Sequence, residues 1–412
     1  RAGKAYHWAL WPAVFMYVTT VAALLFTAWV SLRAAFAPGL NAAFVFGNLV
    51  SAAIGFALAV TYPAAGNLGG GGFMTALTKD GRPLFLDFRE TAPQSATRGM
   101  FLDEKGDLIE GRSTASLLAA GVPGTVHGLF EILQKYGTQR REAILAPAIR
   151  LAQDGFPVSY SLHHSLQANQ KYLTRFPSTA AVFYPDGEVP AFGSVFKQPD
   201  LAGTLTQLSQ SGPAAFYDGP IAEKLVRFME RNGGLITRED LASYTSKFRR
   251  PVIISYKDYS LIAPGLPSSG GIALTQMLQM IEPLPLRTMG YHSAEYIHSL
   301  VEAERLAFAD RNYFLGDPDF VEVPVDRLLS DAYLQQRRRL IPAWHAGKSE
   351  GVSHGNPESP ETTHFCVVDR DRNVVAITYT LNGAYGMGGV VEGAGFLLNN
   401  EMDDFSAKPG SS

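Results

Sequence analysis

The sequence predicts an α/β protein, and three observations carry that expectation. Two β-rich runs flank a short polar turn near residue 371. Apolar residues recur at helical spacing in several segments between residues 129 and 315. A glycine-dense stretch, Gly66-Asn67-Leu68-Gly69-Gly70-Gly71-Gly72, separates a helical region from the strand that begins at Phe73.

The chain has 412 residues, 46% of them hydrophobic and 18% charged, so it can bury a sizeable core. Its formal net charge is −3, with no basic block and no interleaving of aromatic and basic residues. That composition argues against a nucleic-acid partner. Cys366 is the one cysteine, so an intrachain disulfide is excluded.

Trp8 to Leu32 carries no charge and is flanked by Arg1, Lys4 and Arg33. Its length suits a bilayer span, and Trp8, Trp11 and Trp29 sit near its ends as interfacial aromatics do. Residues 1–36 are therefore expected to be a transmembrane segment or a foreign fusion. Leu40 to Val60 is a second apolar stretch, but its Ala and Gly content favours tight packing inside a globular protein.

Beyond it, Pro83 to Phe88 reads as a strand, and Gly121-Val122-Pro123-Gly124 as a turn. Leu129–Tyr136, Arg141–Gln153, residues 220–233 and residues 289–315 read as helices. Residues 343–361 are polar, with Gly, Ser, Pro and His and no apolar period, which predicts a loop open to proteolysis. A β-hairpin follows. If its turn centres on Asp371, Thr362 and Thr380 lie at equal distances on either side and become cross-strand neighbours, with Cβ atoms roughly 5 Å apart. Two facing hydroxyls suit chemistry, although threonine pairs are also common in ordinary sheets.

Several of these segments together resemble the γ-glutamyltransferases. The signature is carried by Glu361-Thr362-Thr363-His364-Phe365-Cys366-Val367-Val368-Asp369, by Thr378-Tyr379-Thr380-Leu381-Asn382, and by Tyr385-Gly386. Asn399-Asn400-Glu401-Met402-Asp403-Asp404-Phe405-Ser406 is similar to a second family motif, and the Gly66–Phe73 stretch to another. So are Asp87-Phe88-Arg89-Glu90 with Ala92-Pro93, Gly121–Gly124, and Pro267-Ser268-Ser269-Gly270-Gly271. The similarity runs in order from about Gly55 to the last residue.

The resemblance implies a four-layer αββα sandwich, the N-terminal-nucleophile hydrolase architecture. It also implies a precursor that cuts itself between Glu361 and Thr362, dividing a large-subunit region, 37–361, from the start of a small-subunit region, 362–412. Thr362 would be the nucleophile, and its freed α-amino group the base, since an α-amino pKa of about 7.7–8 lies near working pH. Thr380 would support it. Arg89 would hold the α-carboxylate of a γ-glutamyl substrate, for which a planar guanidinium is well shaped. Its plain alternative is a salt bridge to Asp87 or Glu90. Glu401 and Asp404, with Asn382, would hold the substrate α-amino group; their alternative is turn formation in a polar loop. The partners implied are γ-glutamyl small molecules, with water, an amino acid or a peptide as acceptor, and the expected location is periplasmic or extracellular, with anchoring through residues 8–32. No cofactor and no metal is implied.

His163, His164 and His354 lack metal-ligand spacing. The Gly66–Gly72 run is not followed by the Lys-Ser/Thr of a phosphate-binding loop. Cys366 is expected to point into a layer of the sandwich. The family's later serine pair and glycine pair do not occur before Ser412, so this stretch alone is expected to be poorly active. Two further readings remain open. One is a cephalosporin acylase or poly-γ-glutamate-processing relative. The other is an inactive domain fused to a membrane-transport segment.

Overall fold

The computed structural model describes residues 49–343, 345–348, 362–405 and 407–408. Its centre is a five-stranded antiparallel sheet. The strands are β1 (Gly71–Leu77), β2 (Pro83–Asp87), β3 (Lys247–Arg249), β6 (Thr362–Val368) and β7 (Val374–Thr380), in the order β3-β2-β1-β7-β6. Two further strands, β4 (Val252–Tyr256) and β5 (Tyr259–Ala263), form a separate hairpin. β1 is thus the hinge of the architecture. It pairs with β2 on one side and with β7, three hundred residues later, on the other.

The period-two alternation of strands divides this sheet into two chemically distinct faces. Met74, Ala76, Leu84, Leu86, Val375, Ile377 and Tyr379 form one buried cluster with Ile132. Ile132 comes from helix α2 (Thr125–Tyr136), so this face is covered by helices. Fully burying a Leu, Ile, Val or Met side chain of this cluster contributes roughly 1.5–3 kcal/mol. Thr362, His364, Cys366 and Val368 occupy the other face, opposite Thr380, Thr378, Ala376 and Val374 respectively. At the β2 end that face is covered: β5 approaches β1, and Gly265 lies against Phe85. Helices α5 (Gly270–Ile281) and α6 (Ala294–Phe314) pack beyond the hairpin, around Met280, Ile281, Ala303 and Leu306. The layers therefore run helix, sheet, hairpin, helix.

Local signals explain the helices. Ser293 caps α6 by accepting a hydrogen bond from the Tyr296 N–H, one of the donors a helix start leaves unpaired. Helix α1 (Leu49–Thr61) buries Ala52, Phe56 and Val60. Gly55 lets it come close to Leu129, and Phe56 meets Phe130 edge-on at 5.7 Å. Helices α3 (Arg141–Asp154) and α4 (Pro199–Ser211) pack against each other in the same core.

Most expected elements are present within a few residues. The described part of the second apolar stretch, from Leu49 on, is the packed helix α1, as its Ala and Gly content suggested. The expected span at Trp8–Leu32 lies outside the described residues. Among the described residues, no helix is long and apolar enough to cross a membrane. Two expectations need correction. Gly71 and Gly72 belong to β1, not to a loop. Cys366 is exposed, because among the described residues nothing covers the face it points from at the β6 edge.

Candidate active site

Thr362 heads the edge strand β6, and Thr380 ends its neighbour β7. The register sets them directly opposite each other, on the face opposite the Ile132 cluster. Thr362 is exposed while Thr380 is buried. The Thr380 hydroxyl accepts a hydrogen bond from the Asn382 N–H at 2.9 Å. Asn382 reaches that position in the left-handed conformation (φ 72°), which Asn tolerates better than most side chains. Its amide then donates to the Asn400 carbonyl at 3.1 Å. The chain after β7 is thereby tied to the segment carrying Glu401.

Glu401 and Asp404 bound a single 3₁₀ turn, which puts both carboxylates within reach of one guanidinium. That guanidinium is Arg89. Its Nη2 donates to Glu401 Oε1 and, at 2.8 Å, to Asp404 Oδ2. It lies 5.4 Å from the Phe73 ring centre. Phe73 pairs with Thr378, two residues along from the Gly71–Thr380 pair, so Arg89 stands over the threonine face of the sheet. The Arg89 backbone is held at both ends. Its N–H donates to Asp87 Oδ1 at 3.0 Å, and its carbonyl accepts from the Tyr244 hydroxyl at 2.8 Å. The Asp87 side chain is itself bound by Arg249 at 2.7 Å.

The structure thus gathers Arg89, Glu401 and Asp404 into one cluster and links Asn382 to both that cluster and Thr380. Of the plain alternative for Arg89, a salt bridge to Asp87 or Glu90, the guanidinium makes the Glu90 pair and not the Asp87 one, with Glu90 Oε2 4.0 Å from Arg89 Nε.

One cation among three carboxylates makes the site electrostatically strained toward protons. Burial pushes the Glu401 carboxyl up to about 7; Arg89 works against that shift and Asp404 adds to it. Burial raises Glu90 well above the carboxylate range, and Glu401 raises it further. Neither Glu90 oxygen, nor Glu401 Oε2, accepts a hydrogen bond among the described residues. Burial disfavours the Arg89 charge, but Glu401, Glu90 and Asp404 outweigh that and raise its pKa. Free buried acceptors beside a paired guanidinium can receive an ammonium, while the guanidinium can receive a carboxylate.

Sequence reasoning missed the polar groups behind this cluster. Asn67 and Asn399 are buried amides that bridge the glycine-rich segment to the site. Their signal in the sequence was only their place inside recognised motifs. His364 and Cys366 also sit on the threonine face, with Nε2 and Sγ 3.2 Å apart and His364 Nδ1 2.7 Å from the Thr378 hydroxyl.

A threonine at the head of a strand, set in a sheet sandwiched between helices, is the arrangement of the N-terminal-nucleophile hydrolases. Solved structures agree. The chain is similar to the γ-glutamyltranspeptidase of Helicobacter pylori, with TM-score 0.73 and 42% identity, covering 75% of this chain and 88% of that one. It is also similar to a cephalosporin acylase from Bacillus halodurans, with TM-score 0.77 and 27% identity over 89% of this chain and 67% of that one. Among curated proteins, the glutathione hydrolase proenzyme of Pseudomonas aeruginosa is 48% identical over 368 residues, 88% of this chain and 65% of that protein. The family model for gamma-glutamyltranspeptidase matches residues 47–412, and the chain belongs to that family. The chain spans about 64–65% of the length of the first curated relatives it matches.

Proposed function

We propose that the protein transfers and hydrolyses γ-glutamyl groups through an ester on Thr362, after self-cleavage between Glu361 and Thr362. The observation that carries this reading is spatial. A hydroxyl at the head of an edge strand shares a sheet face with a guanidinium flanked by two acids. In the precursor, the Thr362 hydroxyl attacks the Glu361 carbonyl. The peptide C–N bond breaks, the acyl group moves to oxygen, and the α-amino group is released. Water then cleaves the ester and regenerates the hydroxyl. Residues 37–361 and 362–412 would part into the large-subunit and small-subunit regions at that bond.

The mature site repeats the chemistry on a γ-glutamyl amide such as glutathione. The freed α-amino group takes the hydroxyl proton as the hydroxyl attacks, then returns it to the leaving amine. Arg89 takes the substrate α-carboxylate. Glu401 and Asp404 take its ammonium, with Asn382 beside them. The γ-carbonyl is thereby left at Thr362. Water as acceptor completes hydrolysis, and an amino acid or peptide completes transfer. Action in the periplasm or outside the cell is part of this proposal.

A second reading, acylase activity, is favoured by the likeness to the cephalosporin acylase. A side-chain acyl group without an α-amine would leave Glu401 and Asp404 without a ligand, and the paired acids favour the amino-acid substrate. Incubation of the full chain, followed by intact mass and a chromogenic γ-glutamyl anilide assay, tests the proposal. Two fragments meeting at Thr362 are expected, with the aniline released slowly, in keeping with the poor activity expected of this stretch alone. An unbroken chain with no turnover would overturn it.

A further inference from the structure

We propose that Asn67 and Asn399 are positioning residues that divide the site between them, Asn67 holding the nucleophile end and Asn399 the glutamyl-recognition end. The inference rests on the function proposed above.

An amide side chain offers two donor and two acceptor positions, and both residues use all four. Asn67 donates to the Thr380 carbonyl and the Ala65 carbonyl, each at 2.9 Å. Its oxygen accepts from the Gly70 N–H at 2.9 Å and from the Thr125 hydroxyl at 2.8 Å. Asn399 donates to the Gly69 and Gly121 carbonyls, each at 2.8 Å. Its oxygen accepts from the Gly121 N–H at 2.8 Å and the Glu401 N–H at 3.0 Å. Asn67 is 3% exposed and Asn399 is fully buried, so water competes for none of these bonds.

The two amides grip successive residues of one segment. Asn67 binds Gly70 and Asn399 binds Gly69. That segment cannot yield easily. A Cβ at Gly70 would lie 2.1 Å from the Thr380 carbonyl oxygen, and one at Gly69 2.1 Å from the Leu397 oxygen. The glycines therefore form a shared baseplate. Asn67 fixes the end of β7 to it, and with β7 the threonine facing Thr362. Asn399 fixes the start of the Glu401–Asp404 turn to it. The separation between the nucleophile and the acids is then set by two amides and a few glycines.

Asn67→Asp keeps the acceptor side and loses both donors, including the bond to Thr380. Asn399→Asp loses both donors to the baseplate. The full chain is assayed for the rate of splitting at Thr362, and for kcat and KM on a γ-glutamyl anilide. N67D is expected to slow splitting and kcat by about 10–100-fold with KM changed less than about threefold, since small misplacements of reacting groups have effects of this size. N399D is expected to raise KM by roughly tenfold with splitting near the wild-type rate, the pattern of lost ground-state binding. If N67D does not fold, Thr125→Val, which removes one partner of the Asn67 oxygen, is expected to show the N67D pattern at smaller size. Equal effects of N67D and N399D on every quantity, or loss of thermal stability alone, would overturn the division of roles. A wild-type chain that does not split would overturn the functional reading itself, and this inference with it.

Discussion

Thr362 and Thr380 face each other across adjacent antiparallel strands, one exposed and one buried. The buried member is the fixed one. Its hydroxyl accepts from Asn382 and its carbonyl from Asn67. The exposed member stands at the head of the sheet's edge strand, where chemistry needs access. Thr362→Ala removes the oxygen proposed to attack and is expected to leave the chain unsplit by intact mass. Thr362→Ser keeps the oxygen and should split at a measurable but lower rate. Thr380→Val removes the acceptor of the Asn382 N–H, a loss of about 1 kcal/mol for this half-buried donor, and is expected to lower kcat more than it changes KM.

That threonine pair was legible in the sequence because a hairpin is local. Once Asp371 is taken as the turn centre, simple counting pairs 362 with 380. The Arg89 cluster was legible only through motif resemblance, since Arg89 and Glu401 are joined by 312 residues of chain. The roles proposed for Asn67 and Asn399 could not be read from spacing. They depend on β1 lying between β2 and β7, and strand order is not written in local periodicity. The same holds for Gly71 and Gly72. Their density suggested a loop, yet they pair with Thr380 and Tyr379, and at these strand positions Glu90 and the Thr378 carbonyl leave no room for a Cβ. Cys366 was placed wrongly because alternation assigns a residue to a face but does not say whether that face is covered.

The guanidinium of Arg89 serves two acids with one nitrogen. A lysine could offer charge but not the planar, forked geometry that lets a carboxylate replace them. Arg89→Lys is expected to raise KM for a γ-glutamyl anilide by about 10–100-fold, roughly 1.4–2.8 kcal/mol of binding. Splitting at Thr362 should be little affected, because the precursor bond carries no free α-carboxylate there. Steady-state kinetics beside a splitting time course checks both. An unchanged KM would separate Arg89 from substrate binding.

Glu401 is expected to give the site a pH dependence. Only its ionised form attracts an ammonium, and burial has moved its pKa to about 7. Donor binding is therefore expected to strengthen, and KM to fall, as pH rises through that value. Glu401→Gln should flatten this dependence and leave KM high. Stability runs the other way. With its pKa raised above the ordinary 4.5, the folded state holds a proton that the unfolded state releases. This contribution is complete below pH 4.5 and is lost as pH rises to about 7. The difference in Tm between wild type and Glu401→Gln should therefore shrink, or turn negative, over that interval. Glu90, raised by burial in the same direction, should act likewise, so that Glu90→Gln gains relative stability as pH rises.

Gly70 shows how narrow the packing is under the site. A Cβ there would lie 2.1 Å from the Thr380 oxygen and 2.7 Å from the Asn67 side-chain oxygen. Neither neighbour can retreat cheaply. The first is backbone within the sheet, and the second belongs to an amide using all four of its hydrogen-bonding positions. Gly70→Ala is thus expected to cost about 3 kcal/mol or more, at the upper end of overpacking effects. It should also slow splitting in whatever fraction folds, because the displaced group is the carbonyl of the residue opposite Thr362. Gly81 is the matched control. It is exposed, with open space where its Cβ would be, and its positive φ (79°) makes Gly81→Ala cost only local backbone strain, on the order of 1–2 kcal/mol. Denaturant unfolding of both variants, with a splitting assay on the folded material, separates the two cases. Equal stability losses and unaltered splitting in both would show that the glycine segment does not hold the nucleophile strand in place.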